Sequence, residues 1–221
     1  MNARLLIVPC LLVASVAHAE ETEVQQDAVA PVVHHRPTFE IGFQSELHWL
    51  VQSSARVTSQ APSQGSAFVD FAYSPIAPLD VYVGYRSLYE TSRDDRGYTL
   101  TTDGDAAVVG ARLRYPLLSW FGLVAALDLE ALHLDHQLDV GQRSGQSGEW
   151  TFGVAPRAGV ELTLDLGGWA GVLRVEGGYA FRGAPAVSMA LSSDAAEVDP
   201  VALGTVDLSG PLFALSLGIR F

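Results

Sequence analysis

The chain contains no lysine: all 13 of its cationic side chains are arginine. It has a single cysteine, Cys10, and after its first twenty positions no apolar run approaches the roughly 20 residues of a membrane helix. The missing lysines leave only planar, permanently charged guanidinium groups, which suit bidentate pairing in a buried network better than a mobile ammonium does. With Cys10 inside a secretory signal, the mature chain has neither a disulfide nor thiol chemistry. Without a long apolar run, a helical membrane span is excluded. A net charge of −12 also argues against nucleic acid or an anionic surface as partner.

The N-terminus has a basic residue, Arg4, an apolar run LLIVPCLLVASV, and a small-x-small end at Ala17-His18-Ala19, so cleavage is expected after Ala19. Residues 1–19 are thus read as a signal peptide, and residues 20–37, rich in acid, Gln, Ala and Pro, as a polar leader. The remainder, 38–221, reads as one domain.

Hydrophobic residues make up 48% of the chain, yet they are dispersed at every second position. The closing stretch shows it best. Phe213, Leu215, Leu217, Ile219 and Phe221 share one face, while Ala214, Ser216, Gly218 and Arg220 share the other, the period-two pattern of a strand with one apolar side. Seven further segments alternate likewise, near 38–50, 67–74, 79–91, 104–115, 121–134, 150–166 and 169–182. Connections after the second, fourth and sixth are tight, whereas those after the first, third, fifth and seventh are long and polar. The expected fold is all-β, an eight-stranded antiparallel up-and-down transmembrane β-barrel, and an even strand number puts both termini at the tight-turn end.

In this register the inward charges are Glu40, Glu46, Asp70, Glu90, Asp128, Glu130, Glu161 and Glu176 against Arg86, Arg112, Arg114, Arg157, Arg174, Arg182 and Arg220. Eight acids face seven bases. An eight-stranded barrel is only wide enough for side chains to fill, so the balance suggests an ion-paired interior network rather than a pore, which would favour one sign. Two prolines strain the scheme: Pro156 lies inside the sixth segment, and Pro211 follows a phase change at Ser209-Gly210, so bulges are expected at both. The turn Leu166-Gly167-Gly168-Trp169 reads as a two-residue hairpin, which sets paired residue numbers to a sum of 335 and puts Glu161 opposite Arg174.

By strand count, loop asymmetry and terminal Phe, the chain resembles the small OmpA/OmpX-type outer-membrane barrels, without a following peptidoglycan-binding domain. The resemblance implies location in the bacterial outer membrane, lipid and lipopolysaccharide as surroundings, and a monomer. It also implies that Phe213, Leu215, Leu217, Ile219 and Phe221 form the signal read by the barrel-assembly machinery. The implied role is structural or surface-interacting, carried by the extracellular loops, with no cofactor, no metal and no catalysis. The alternatives are a narrow channel for ions or small solutes and an outer-leaflet lipid A hydrolase. For the hydrolase, His48 with Ser53 and Ser54, or His133 with Asp135 and His136, are the candidates. Neither set has the His-x-Ser arrangement of the lipid A deacylases, since Asp135 stands where that serine would be. Nor can His133, Asp135 and His136 converge on a metal from one strand, because odd and even positions point to opposite faces.

Overall fold

The computed structural model describes residues 38–49, 63–93, 98–141, 143–190, 192–193, 196–197, 201–205 and 207–221. Residues 1–37, read from sequence as a signal peptide and leader, and Ser53 and Ser54 lie outside these residues.

Eight strands form the wall: β1 (Thr38–Trp49), β2 (Ser63–Ile76), β3 (Leu79–Arg93), β4 (Tyr98–Pro116), β5 (Phe121–Val140), β6 (Arg143–Asp165), β7 (Ala170–Arg182) and, last in the chain, β12 (Gly210–Arg220). Each pairs antiparallel with its neighbour in sequence, β12 follows β7, and β12 returns to β1, so the sheet closes on itself. The seam is completed by two backbone bonds, Phe39 N to Phe221 O and Phe221 N to Phe39 O, each 2.9 Å. Closure removes every edge in the central band.

Alternation decides the faces. Phe39, Ile41, Phe43, Val69, Phe71, Val83, Val109, Leu129, Leu215 and Leu217 are exposed around the outside, a belt of apolar surface far larger than a soluble monomer presents. At the intervening positions Glu40, Asp70, Arg86, Arg112, Asp128 and Arg174 are buried inside. Gly167 and Gly168 both take positive φ, 76° and 124°, and Leu166 N donates to Trp169 O at 3.0 Å. The β6–β7 register that follows pairs Glu161 with Arg174, Leu162 with Leu173 and Val160 with Val175, all summing to 335 as the turn requires.

Three expectations need correction. No bulge occurs at Pro156: the β6–β7 sum holds from Gly153–Arg182 to Arg157–Gly178, with the ladder passing over Ala155 and Pro156. A proline that faces outward needs no extra residue if the ladder forgoes one pair. Pro211 is likewise in unbroken register with Tyr179, and Leu208, Gly210, Leu212 and Ala214 all face inward, so the phase does not change at Ser209-Gly210. The strands β4, β5 and β6 also run well beyond the segments near 104–115, 121–134 and 150–166, absorbing most of the stretches read as loops at 92–103 and 135–149.

That extension raises a three-stranded wall at the end bearing the long connections. Between β7 and β12 the described residues form four short pieces: β8 (Ala186–Met189), β9 (Ser192–Ser193), β10 (Ala196–Glu197) and β11 (Val201–Thr205). β9 and β10 add to the edge of β6, through Ser144–Ser192, while β8 pairs with β11 as a separate hairpin.

Candidate functional site

The inward positions fill the bore in three successive layers. Nearest the tight turns, Arg174 donates from Nε to Glu161 Oε2 at 2.7 Å and from Nη2 to Glu40 Oε2 at 2.6 Å. Arg220 joins the same two carboxylates, from Nη2 to Glu40 Oε2 at 2.8 Å and to Glu161 Oε2 at 3.2 Å. Arg112 Nη2 reaches Asp70 Oδ2 at 3.1 Å, and its guanidinium lies 4.9 Å from the centre of the Tyr82 ring. Arg114 Nη2 donates to Asp80 Oδ1 at 2.7 Å.

The middle layer is organised by Asp128. Its Oδ2 accepts from Arg86 Nη2 at 2.8 Å, and its Oδ1 accepts from Arg157 Nη2 at 2.9 Å and from the Tyr82 hydroxyl. Arg86 also holds Glu46, at 2.9 Å, and Glu130. Arg182 Nε donates to Glu130 Oε2 at 2.9 Å, and Arg157 Nη1 lies 3.6 Å from Glu176 Oε2. Gly110 is required here: a Cβ would sit 2.3 Å from the Tyr82 ring, which must lie across the bore to reach Asp128.

Of the fifteen inward charges read from sequence, Glu40, Glu46, Asp70, Asp128, Glu130, Glu161 and Glu176 are buried with Arg86, Arg112, Arg157, Arg174 and Arg182. Arg114 and Arg220 are partly exposed at the mouth. The side chain of Glu90 lies outside the described residues. Asp80 was missed, although it shares the parity of Arg86, because it stands one residue into β3 beside a turn.

The third layer is apolar, and sequence reasoning missed it too. Phe68, Leu88, Leu100, Leu132, Leu134, Leu138 and Leu208 pack with Val187 and Met189, which the β8–β11 hairpin carries into the bore. Leu132, Leu134 and Leu208 are wholly buried.

Of the two hydrolase sets, only that of His133, Asp135 and His136 lies wholly within the described residues, and its side chains diverge; for the other, the surroundings of His48 alone are described. His48 faces inward, and its Nε2 meets both Glu46 Oε2 at 2.9 Å and Ser66 Oγ at 3.5 Å, while Ser66 donates directly to Glu46 at 2.7 Å. A Ser-His-acid relay needs serine and acid on different ring nitrogens, with the serine proton going to the histidine. Here the acid takes it, and Nδ1 of His48 has no partner among the described residues. His133 and Asp135 point outward, 3.6 Å apart, whereas His136 points inward to Thr102 Oγ1 at 2.9 Å. Among the described residues no group of three or more His, Cys, Asp or Glu side chains could hold a metal.

Among solved structures the chain is similar to a major outer membrane protein from Thermus thermophilus, with a TM-score of 0.51 and 13% identity over 85% of this chain and 99% of that one. The chain has the fold of an outer-membrane β-barrel. Weaker similarity extends to Neisserial surface protein A, at TM-score 0.45 and 13% identity over 84% of this chain and 98% of that one. It extends also to Ail, the attachment invasion locus protein of Yersinia pestis, at 0.43 and 11% over 84% and 97%. No family model and no curated protein sequence matches the chain.

One titrating group of the barrel lies above the exposed ring of Trp150, in the raised wall. Burial holds the His136 imidazole below its usual pKa, against the smaller opposing pull of Glu149 and Asp135. Because the folded value lies below the unfolded one of about 6.5, the stability this neutral ring contributes is present above that pH and is lost as pH falls below it. Amide exchange in the upper halves of β4 and β5, corrected for intrinsic rates, should therefore accelerate between about pH 7 and 5, and His136→Gln should flatten that dependence.

Proposed function

We propose that the protein sits in the bacterial outer membrane with its tight turns in the periplasm, and that it is a sealed barrel with a structural or surface-interaction role and no catalytic activity. The observation that carries this reading is the double filling of the bore. An ion-paired middle layer lies beneath an apolar layer in which Leu132, Leu134 and Leu208 meet the hairpin residues Val187 and Met189. Ions need continuous hydration or replacement oxygens, and a layer of packed leucines supplies neither.

On this reading the raised wall of β4–β6 stands in the lipopolysaccharide sugar layer. Its outer face presents the exposed carboxylates Asp103, Asp105 and Asp135, with Asp103 directly opposite Asp135 across the β4–β5 ladder. That face and the long connections are the surface offered to partners. The enzyme alternative loses support from the divergent directions of His133, Asp135 and His136.

Refolded into a planar bilayer, the protein should give no steady unitary current. Replacing Leu132 and Leu134 together by Ser should leave it silent too, because the charged layer still fills the bore below. Stable unitary currents from the unaltered protein, with a selectivity that changes on Arg112→Gln, would overturn the sealed-barrel reading in favour of a channel.

A further inference from the structure

The ion pairs at the mouth facing the tight turns are not oriented evenly. Arg114 is 17% exposed and Arg220 12%, while their partners Asp80 and Glu40 are 2% and 4% exposed and Glu161 8%. The guanidinium groups therefore stand on the water side of their carboxylates. Arg114 bonds Ser74 and Asp80 through Nη2 alone, and Arg220 bonds Glu40 and Glu161 through Nε and Nη2. The Nη1 of each makes no hydrogen bond among the described residues. Both line one open cavity of about 320 Å³.

The cavity does not end inside the mouth. It continues beneath the β4–β5 turn to Leu118, Tyr115 and Leu123, which are exposed on the apolar outer surface. The turn is held over it by three backbone bonds, from Leu117 N and Leu118 N to Phe121 O and from Thr163 N to Trp120 O, at 2.9–3.0 Å. A ligand filling this space needs an anionic end for two free guanidinium donors and an apolar part leaving toward the outer belt. The depth fits too: Tyr73, Tyr115, Trp120 and Trp169 are exposed around this rim, the position amphipathic rings take at headgroup level.

We propose that the turn-end mouth binds an anionic glycerophospholipid of the surrounding leaflet, its phosphodiester between Arg114 and Arg220 and its acyl chains over Leu118 and Leu123. This rests on the membrane reading above. Guanidinium groups suit phosphate oxygens through paired N–H donors, and the carboxylates behind them keep both groups in place.

The test uses the full mature chain, refolded into phosphatidylcholine vesicles holding a minority of phosphatidylglycerol, with lipid retained on the extracted barrel counted by native mass spectrometry. The unaltered protein should retain one phosphatidylglycerol in preference to phosphatidylcholine. Arg114→Gln should weaken retention about tenfold. Leu118→Asp, which adds a repelling carboxylate at the exposed rim and touches no ion pair, should do the same with the fold intact. Equal retention by all three proteins, or equal retention of the two lipids, would overturn the assignment. Saturable binding of inorganic phosphate to lipid-free, detergent-solubilised protein would also overturn it, by showing a site for a free anion. Failure to insert into vesicles at all, read as unchanged gel migration on boiling, would sink the membrane reading itself. Insertion with equal retention would sink this assignment alone.

Discussion

Replacing Asp128 by Ala should destabilise the barrel by roughly 3–5 kcal/mol. The reason is what it holds at hydrogen-bond distance: two buried guanidinium groups and a phenol. Arg86, Arg157 and Tyr82 all donate to its two oxygens, and Arg86 and Arg157 are among the most deeply buried side chains of the molecule. Removing the acid leaves both guanidinium groups short of a partner in a bore with little water to replace it. Glu46 and Glu130 can still hold Arg86, but Arg157 would keep only the neutral Tyr82 hydroxyl at 3.3 Å and two more distant carboxylates, Glu176 at 3.6 Å and Glu46 at 3.8 Å. Tyr82→Phe, which removes one hydroxyl and leaves both charges paired, should cost only about 0.5–1.5 kcal/mol. Urea unfolding in lipid vesicles, followed by tryptophan emission, measures both. A loss at Asp128 no larger than at Tyr82 would mean that the middle layer is hydrated and that its charges are worth little to stability.

The shared ligands also revise what a pairwise reading of the register suggests. Glu161 and Arg174 face each other as the Gly167-Gly168 turn dictates, but neither belongs to the other alone, since Arg220 also holds Glu161 and Glu40 also holds Arg174. Exchanging the two for a matched apolar pair therefore still strands parts of Arg220 and Glu40. Networks of this kind couple non-additively, and only a double-mutant cycle apportions them.

How far the sequence carried depended on what each face of the wall touches. Where the outside is apolar and the inside charged, period two is unambiguous, and Glu40, Arg112, Arg174 and Arg220 could be placed inward from parity alone. The turn chemistry of Leu166–Trp169 then set one register outright. Past Ala131 the same strand keeps its geometry but changes its chemistry. Leu132, Leu134 and Leu138 face in, while Asp135 and Gln137 face out, because the surroundings have become water and the bore has become apolar. A rule that sets apolar residues outside reads this inversion as the end of the strand, which is why the upper halves of β4–β6 looked like loops. Leu208 and Leu212 produced the same illusion from the other side: apolar residues inside resembled a slip in phase. The β8–β11 hairpin left no trace, since pieces of two to five residues carry too little periodicity to detect.

The terminal Phe221 should matter far more in cells than in a test tube, and the structure shows which variant separates the two. Deleting it would remove the backbone groups that exchange two hydrogen bonds with Phe39 across the β1–β12 seam, so loss of assembly could be charged to a weaker barrel. Phe221→Ala keeps both bonds and removes only a ring that is 53% exposed on the outer belt. Truncating so exposed a side chain should cost the refolded barrel no more than about 1 kcal/mol. If the ring, with Phe213, Leu215, Leu217 and Ile219 at alternate positions before it, is what the barrel-assembly machinery reads, the same variant should lower the folded outer-membrane fraction at least about tenfold. The comparison is between heat-modifiable protein in membranes of expressing cells and the yield and urea midpoint after refolding in detergent or vesicles. Equal, small effects in the two settings would remove the special role of the ring and leave Phe221 as one more residue of the seam. Equal, large effects would show instead that the ring itself helps hold the closure together.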